Sequence, residues 1–275
     1  MKSILKALVP VLFVLTSGAS AFAAHSVPVT VKEGNRVFQG SISIPDSSKG
    51  ALPLVVVVHE WWGKTEYPEM RANKIADDLG YAALVVDLYG EGKTAQNPQD
   101  AQALATPFYQ DPNLGVNRIR KFIAAATEAA KQGNAAIDTS KIAAIGYCFG
   151  GTQVLNLARA GALPDNEKLV GVVSFHGGLA SSLQAQGPIE PKLLVLHGAA
   201  DKMVKQEEVS AFKDEMKKAK ADLVFKAYPG ALHAFTNPKA TELGKKFQIP
   251  VAYDEKADKD SWIQMKSFLK KNFGK

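Results

Sequence analysis

The sequence predicts an α/β fold: a mainly parallel central sheet flanked by helices, with an antiparallel hairpin at its N-terminal end. Three observations predict it. Continuous apolar runs at 54–58 (LVVVV) and 82–86 (AALVV) lack the alternation of a half-exposed strand and mark strands buried on both faces. Stripes of helical period fall between such runs. Polar residues able to do chemistry follow the ends of the predicted strands, which is where open α/β sheets carry their sites.

Taken in order, residues 1–24 read as a secretory signal. Lys2 and Lys6 form the charged start, 7–16 (ALVPVLFVLT) the apolar core, and 20–24 (SAFAA) offers cleavage after A-F-A or nearby. The apolar run is too short to span a bilayer. The mature chain then starts near Ala24 or His25 and forms one domain over 25–275, long enough for an ample core. It is expected in the periplasm or outside the cell, with no stable membrane association once the signal is removed. Its single cysteine has no partner for an internal disulfide, so core burial holds the fold and a lone exported thiol is a reactive candidate. The formal charge of +6 falls to about +4 when Lys2 and Lys6 leave with the signal. Bases alternate with acids at 213–218 and 254–260, as on solvated helix faces, which argues against nucleic-acid binding.

Alternation at Val27, Val29 and Val31, then Val37, Gln39 and Ser41, around a turn at Glu33-Gly34-Asn35, predicts the hairpin over 26–44. The strand 54–58 ends in His59-Glu60-Trp61-Trp62-Gly63. A helix over 69–79 carries Ala72, Ile75, Ala76 and Leu79 on one face, with Gly80 after it. The strand 82–86 ends in Asp87-Leu88-Tyr89-Gly90. A long helix over 113–131 has the stripe Val116, Ile119, Ile123, Ala126 and Ala130. Strand 141–145 and an apolar helix flank Gly146-Tyr147-Cys148-Phe149-Gly150-Gly151. Strands at 169–175 and 193–196 end in His176-Gly177-Gly178 and in His197-Gly198-Ala199-Ala200-Asp201. A helix over 207–219 packs through Val209, Phe212 and Met216. The last strand, 224–228, leads to Pro229-Gly230-Ala231-Leu232-His233, and a helix over 260–273 closes the chain. No Gly-rich phosphate loop appears, no G-x-G-x-x-G fingerprint joins a strand to a helix, and no H-x-x-x-H spacing or cysteine cluster suggests a metal.

The G-x-C-x-G-G stretch between strand and helix has the form of a nucleophile elbow with cysteine as the nucleophile. The turn is so tight that the residues two before and two after Cys148 must be nearly free of side chain; Gly146 and Gly150 stand there. The helix that follows aims its N-terminal N–H groups at the site, which favours a thiolate and an oxyanion. The chain order Cys148, Asp201, His233 is the nucleophile–acid–histidine order of the α/β-hydrolase fold. In that chemistry the thiolate attacks a carbonyl, His233 moves the proton and Asp201 fixes its tautomer. The oxyanion would sit between the N–H groups of Phe149 and Trp61. Each member alone has a plainer reading, a small buried thiol or a turn aspartate; the joint arrangement is what specifies chemistry. His59, His176 and His197 each end a strand and read as structural. Trp61 and Trp62 fit either the core or an acyl pocket.

His59-Glu60-Trp61-Trp62-Gly63, Asp87-Leu88-Tyr89-Gly90, the Cys148 elbow, His197-Gly198-Ala199-Ala200-Asp201 and Gly230-Ala231-Leu232-His233-Ala234-Phe235 together resemble the dienelactone hydrolase family, over essentially the whole mature chain. The resemblance implies a Cys148, Asp201, His233 triad. It also implies that Glu60 meets the resting thiol and assists its ionisation, and that small esters or lactones are cleaved without a cofactor. Trp62 and Tyr89 are expected to line the substrate pocket, and the protein is expected to be a monomer. Two departures bear on substrate. Where family members that bind a carboxylate carry arginines, this chain has Glu91 and Asn237, with Lys93 the nearby cation that could compensate. A carboxylic-ester or lactone hydrolase is the leading reading. A non-catalytic binding protein on the same fold, and a peptidase or acyltransferase using the triad, are the competing ones.

Overall fold

The computed structural model describes residues 24–46, 49–164 and 167–274. The expected signal at 1–24 lies outside them except for Ala24, the first residue of β1 (Ala24–Glu33). That strand pairs antiparallel with β2 (Arg36–Pro45) along its whole length, the predicted hairpin with its turn at Gly34-Asn35. The remaining strands are β3 (Ala51–Val58), β4 (Ala82–Val86), β5 (Ala136–Tyr147), β6 (Leu169–Phe175), β7 (Lys192–Gly198) and β8 (Leu223–Tyr228). They form one eight-stranded sheet in the order β1-β2-β4-β3-β5-β6-β7-β8, parallel from β4 through β8. β2 joins β4 antiparallel and so carries the hairpin onto the sheet edge.

Strand alternation divides the apolar residues between two cores. Leu54, Val56 and Val58 of β3, with Ile142 and Ala144 of β5, belong to the core shared with α3 (Pro112–Gln132), α4 (Phe149–Arg159) and α5 (Gln206–Lys218). Val55, Val57, Ala143 and Ile145 belong to the core shared with α1 (Glu66–Leu79) and α7 (Glu255–Phe273). Both faces are covered, which is why β3 reads as an unbroken apolar run.

Two elements were not anticipated. The helix α2 (Pro98–Gln110) contains Pro107, which in sequence reads as a break; Asn97 starts it by accepting from the Asp100 N–H at 2.9 Å. The helix α6 (Ala240–Phe247) has eight residues and buries only Ala240, too little pattern to register. β5 also begins earlier than the apolar run, because Ala136–Asp138 pairs with the start of β3. α7 begins at Glu255, where the Asp254 side chain accepts from the Ala257 N–H at 2.9 Å.

Candidate active site

The turn between β5 and α4 sets the geometry. Cys148 has φ 54° and ψ −119°, a conformation costly for any residue with a Cβ. A Cβ on Gly146 would lie 2.1 Å from the Gly150 carbonyl oxygen, and one on Gly150 would lie 2.3 Å from that of Val58. Only glycine at both places lets α4 press onto β3 and β5. The Cys148 N–H is held by the Phe175 carbonyl at 3.0 Å and by His176 Nδ1 at 3.1 Å. His176 Nε2 then faces the Thr236 hydroxyl at 2.7 Å, so Nε2 carries the ring proton and donates. Burial, then the nearby His233 and Arg71, hold His176 well below the usual histidine range, and it stays neutral.

The three residues that the sequence singled out converge here. His233 Nε2 lies 3.0 Å from the Cys148 Sγ, and His233 Nδ1 lies 2.8 Å from Asp201 Oδ2. The second Asp201 oxygen accepts from the Met203 N–H at 2.8 Å. All three side chains are buried. Burial alone would draw His233 down, but the Cys148 sulfur and the Asp201 carboxylate outweigh it and hold it well above the usual range. Burial raises Asp201, and the His233 hydrogen bond and charge reverse that, so it stays ionised. With Asp201 accepting at Nδ1, Nε2 is the nitrogen that exchanges a proton with sulfur.

Glu60 is buried at the end of β3, and its Oε2 accepts from Asn237 Nδ2 at 2.6 Å. Burial lifts its carboxyl to about pH 7, against the pull of Asn237, His233 and Arg71. The resemblance implied a Glu60–thiol contact; the hydrogen-bond partner of Glu60 is Asn237, and that of the thiol is His233. Asn237 is thus a site residue whose part the sequence reading did not foresee. Glu91 and Lys93 pair with each other at 2.7 Å on the surface and line neither cavity of the site.

Two adjoining spaces surround these groups. A cleft of about 10 Å³ at the thiol is bounded by Cys148, His233, Trp61, Met203, Ile249 and Val251. A chamber of about 550 Å³ adjoins it, walled by Trp62, Tyr67, Met70, Leu243 and Phe247. Glu60, Trp62, Asn237 and Leu243 border both. Trp62 packs against Trp61 at 5.2 Å and against Phe247 at 6.0 Å between ring centroids. Tyr89, expected to line the pocket, lies beneath it instead: it is buried and borders neither space, because its hydroxyl donates to the Trp61 carbonyl at 2.9 Å. Lys239 and Lys246 line the chamber and were not anticipated; Lys239 lies 3.4 Å from Glu66.

Comparison with known proteins bears on the family and the fold. The sequence model of the dienelactone hydrolase family matches residues 38–273. Protein usf of Aquifex pyrophilus is 31% identical over 243 residues, covering 87% of this chain and 95% of the relative. A dienelactone hydrolase-like promiscuous phosphotriesterase from metagenomic libraries is 32% identical with a TM-score of 0.78, covering 91% of this chain and 99% of the other. A solved structure named m3DLH is 31% identical with a TM-score of 0.80, at the same coverage.

Proposed function

The chain belongs to the dienelactone hydrolase family and is a carboxylic-ester or lactone hydrolase, and we propose that it works through an acyl-enzyme formed on Cys148. The observation that carries this reading is the continuous line from Asp201 through His233 to the Cys148 sulfur, at 2.8 and 3.0 Å. His233 Nε2 holds the proton given up by the thiol, and Sγ attacks the substrate carbonyl as a thiolate. The oxyanion forms between the N–H groups of Phe149 and Trp61. The carbonyl re-forms, the C–O bond to the alcohol breaks, and His233 returns its proton to the leaving oxygen. Water then gives a proton to His233 and attacks the thioester. The acid leaves, and the proton returns to sulfur. Asp201 holds the ring in one tautomer throughout and stabilises the imidazolium.

The chamber supports an apolar, aromatic-tolerant substrate. Trp62, Phe247, Tyr67 and Met70 offer ring faces and soft surface beside the reacting carbonyl. Export under residues 1–24 is part of the same proposal, and the mass of the mature protein from a periplasmic fraction tests it.

The decisive experiment is a panel of esters and lactones, with one phosphotriester added because a relative carries that activity in its name. Each is assayed on the mature protein and on Cys148→Ala. Turnover in the wild type and a loss of several orders of magnitude in the variant, with unchanged circular dichroism, is the expected result. Substantial turnover by Cys148→Ala would end the cysteine mechanism. Failure of every substrate and of covalent thiol probes would favour the binding-protein reading, and amide cleavage or acyl transfer exceeding hydrolysis would favour the peptidase or acyltransferase.

A further inference from the structure

His59 directly follows β3, one residue before Glu60, and is completely buried. Its Nε2 accepts from the Leu88 N–H at 3.2 Å, so the ring proton sits on Nδ1. Nδ1 lies 2.6 Å from the Glu60 carbonyl oxygen and donates to it. The same oxygen accepts from the Gly63 N–H at 3.1 Å. The Glu60 carbonyl and the Trp61 N–H are two ends of one planar trans peptide, so fixing the direction of the oxygen fixes the N–H in the opposite direction. The imidazole also lies in a stacked arrangement 5.9 Å from the ring of Phe149, whose N–H is the other proposed oxyanion donor. Burial draws His59 down to about pH 4; the Glu60 carbonyl and Asp87 pull it up and Lys64 pulls it down further, so the ring is neutral at working pH.

We propose that His59 is a positioning residue of the oxyanion site: its Nδ1–H grips the Glu60 carbonyl and so aims the Trp61 N–H at the oxygen that becomes negative. This rests on the reading of Trp61 as an oxyanion donor. His59 touches neither substrate nor thiol and acts through a peptide plane. A misaimed donor weakens only the step in which charge develops on oxygen, and leaves substrate binding and thiol reactivity as they were.

The test separates those steps. An asparagine amide nitrogen occupies the place of Nδ1, whereas glutamine carries its polar atoms one bond further, near Nε2. His59→Gln should lower kcat for a good ester by roughly tenfold to a hundredfold, with KM changed by no more than about twofold. His59→Asn should recover kcat to within about fivefold of the wild type. Alkylation of Cys148 by iodoacetamide develops no oxyanion and should proceed in both variants within about twofold of the wild-type rate. Wild-type kcat in His59→Gln, or parallel losses of kcat and alkylation rate, would overturn the proposal. If the variants do not fold, nitrogen-15 histidine spectra of the wild type decide: His59 should keep the neutral Nδ1–H tautomer between about pH 5 and 9. The Nε2–H tautomer, or a titration inside that range, would overturn it. Turnover that survives complete alkylation of Cys148 would instead remove the nucleophile reading, an outcome distinct from any change at His59.

Discussion

Burial lifts the Glu60 carboxyl to about pH 7 and draws His59 to about pH 4, so two neighbouring side chains shape acid stability in opposite senses. Between its ordinary value of 4.5 and about 7, Glu60 holds a proton in the folded chain that the unfolded chain has lost. Stability therefore falls as pH rises through that window, by about 3 kcal/mol in all. His59 takes up its proton in the unfolded chain below 6.5 but stays neutral in the folded chain down to about 4, so its contribution falls as pH falls. The slopes oppose each other where the windows overlap. Glu60→Gln deletes one of them. Its stability relative to the wild type should improve from pH 5 to pH 8 by up to about 3 kcal/mol, read from urea unfolding at both values. An equal difference at the two pH values would mean that the carboxyl carries no proton in the folded protein. The residues of the site differ in how far the sequence disclosed them. Cys148 between two glycines is legible because the close contacts that demand glycine arise within a few positions of the turn. The Glu60–Asn237 bond spans 177 positions, and no local pattern announces it.

The turn between β5 and α4 and the segment around α6 approach the same thiol from opposite parts of the chain. At the turn, Gly150→Ala would bring a methyl group within 2.3 Å of the Val58 carbonyl oxygen and 2.6 Å of that of His59. Those are backbone atoms at the end of β3 and just beyond it and cannot swing aside, so a loss on the order of 3 kcal/mol is expected in chemical unfolding. Near-wild-type stability would show that α4 can withdraw from the sheet. The α6 side is different in kind. Ile249 and Val251 follow α6 and bound the small cleft, and Val251 bridges to His233 across the backbone. Trimming Ile249 or Val251 to alanine should therefore admit longer acyl groups. The ratio of kcat/KM for butyrate to acetate esters should rise by about tenfold, in line with one to three kcal/mol per methylene in an apolar pocket. An unchanged ratio would place the acyl group in the large chamber instead. Sequence patterns disclosed α4 and missed α6 for a physical reason. An apolar face packed on a sheet leaves a periodic stripe, whereas an eight-residue cover with one buried side chain leaves none.

Across the whole molecule, the parallel sheet delivers Glu60, Cys148, Asp201 and His233 beyond the ends of β3, β5, β7 and β8, which is why the constellation could be read from strand order alone. The chamber could not, because α1, the stretch after β4 and α6 meet only in three dimensions. That meeting also decides how the site treats charge. The cations at the chamber are Lys239 and Lys246, both exposed to solvent, and Lys239 already faces Glu66. Exposed lysines attract an anion by no more than about 1 kcal/mol at physiological salt. Deeper in stands Glu60, buried and half-ionised near neutral pH, which opposes a second carboxylate. Neutral esters should therefore outperform their free-carboxylate counterparts by roughly a hundredfold or more in kcat/KM, since two charge-assisted contacts worth about 1.5–3 kcal/mol each are absent. The preference should widen from pH 6 to pH 8, because Glu60 loses its proton across that interval. Matched pairs, each a dicarboxylic monoester and its methyl diester, provide the measurement at both pH values. A preference for the free acid that weakens with added salt would give the rim lysines the deciding role. A neutral preference that does not change with pH would leave the exclusion to apolar walls rather than to Glu60.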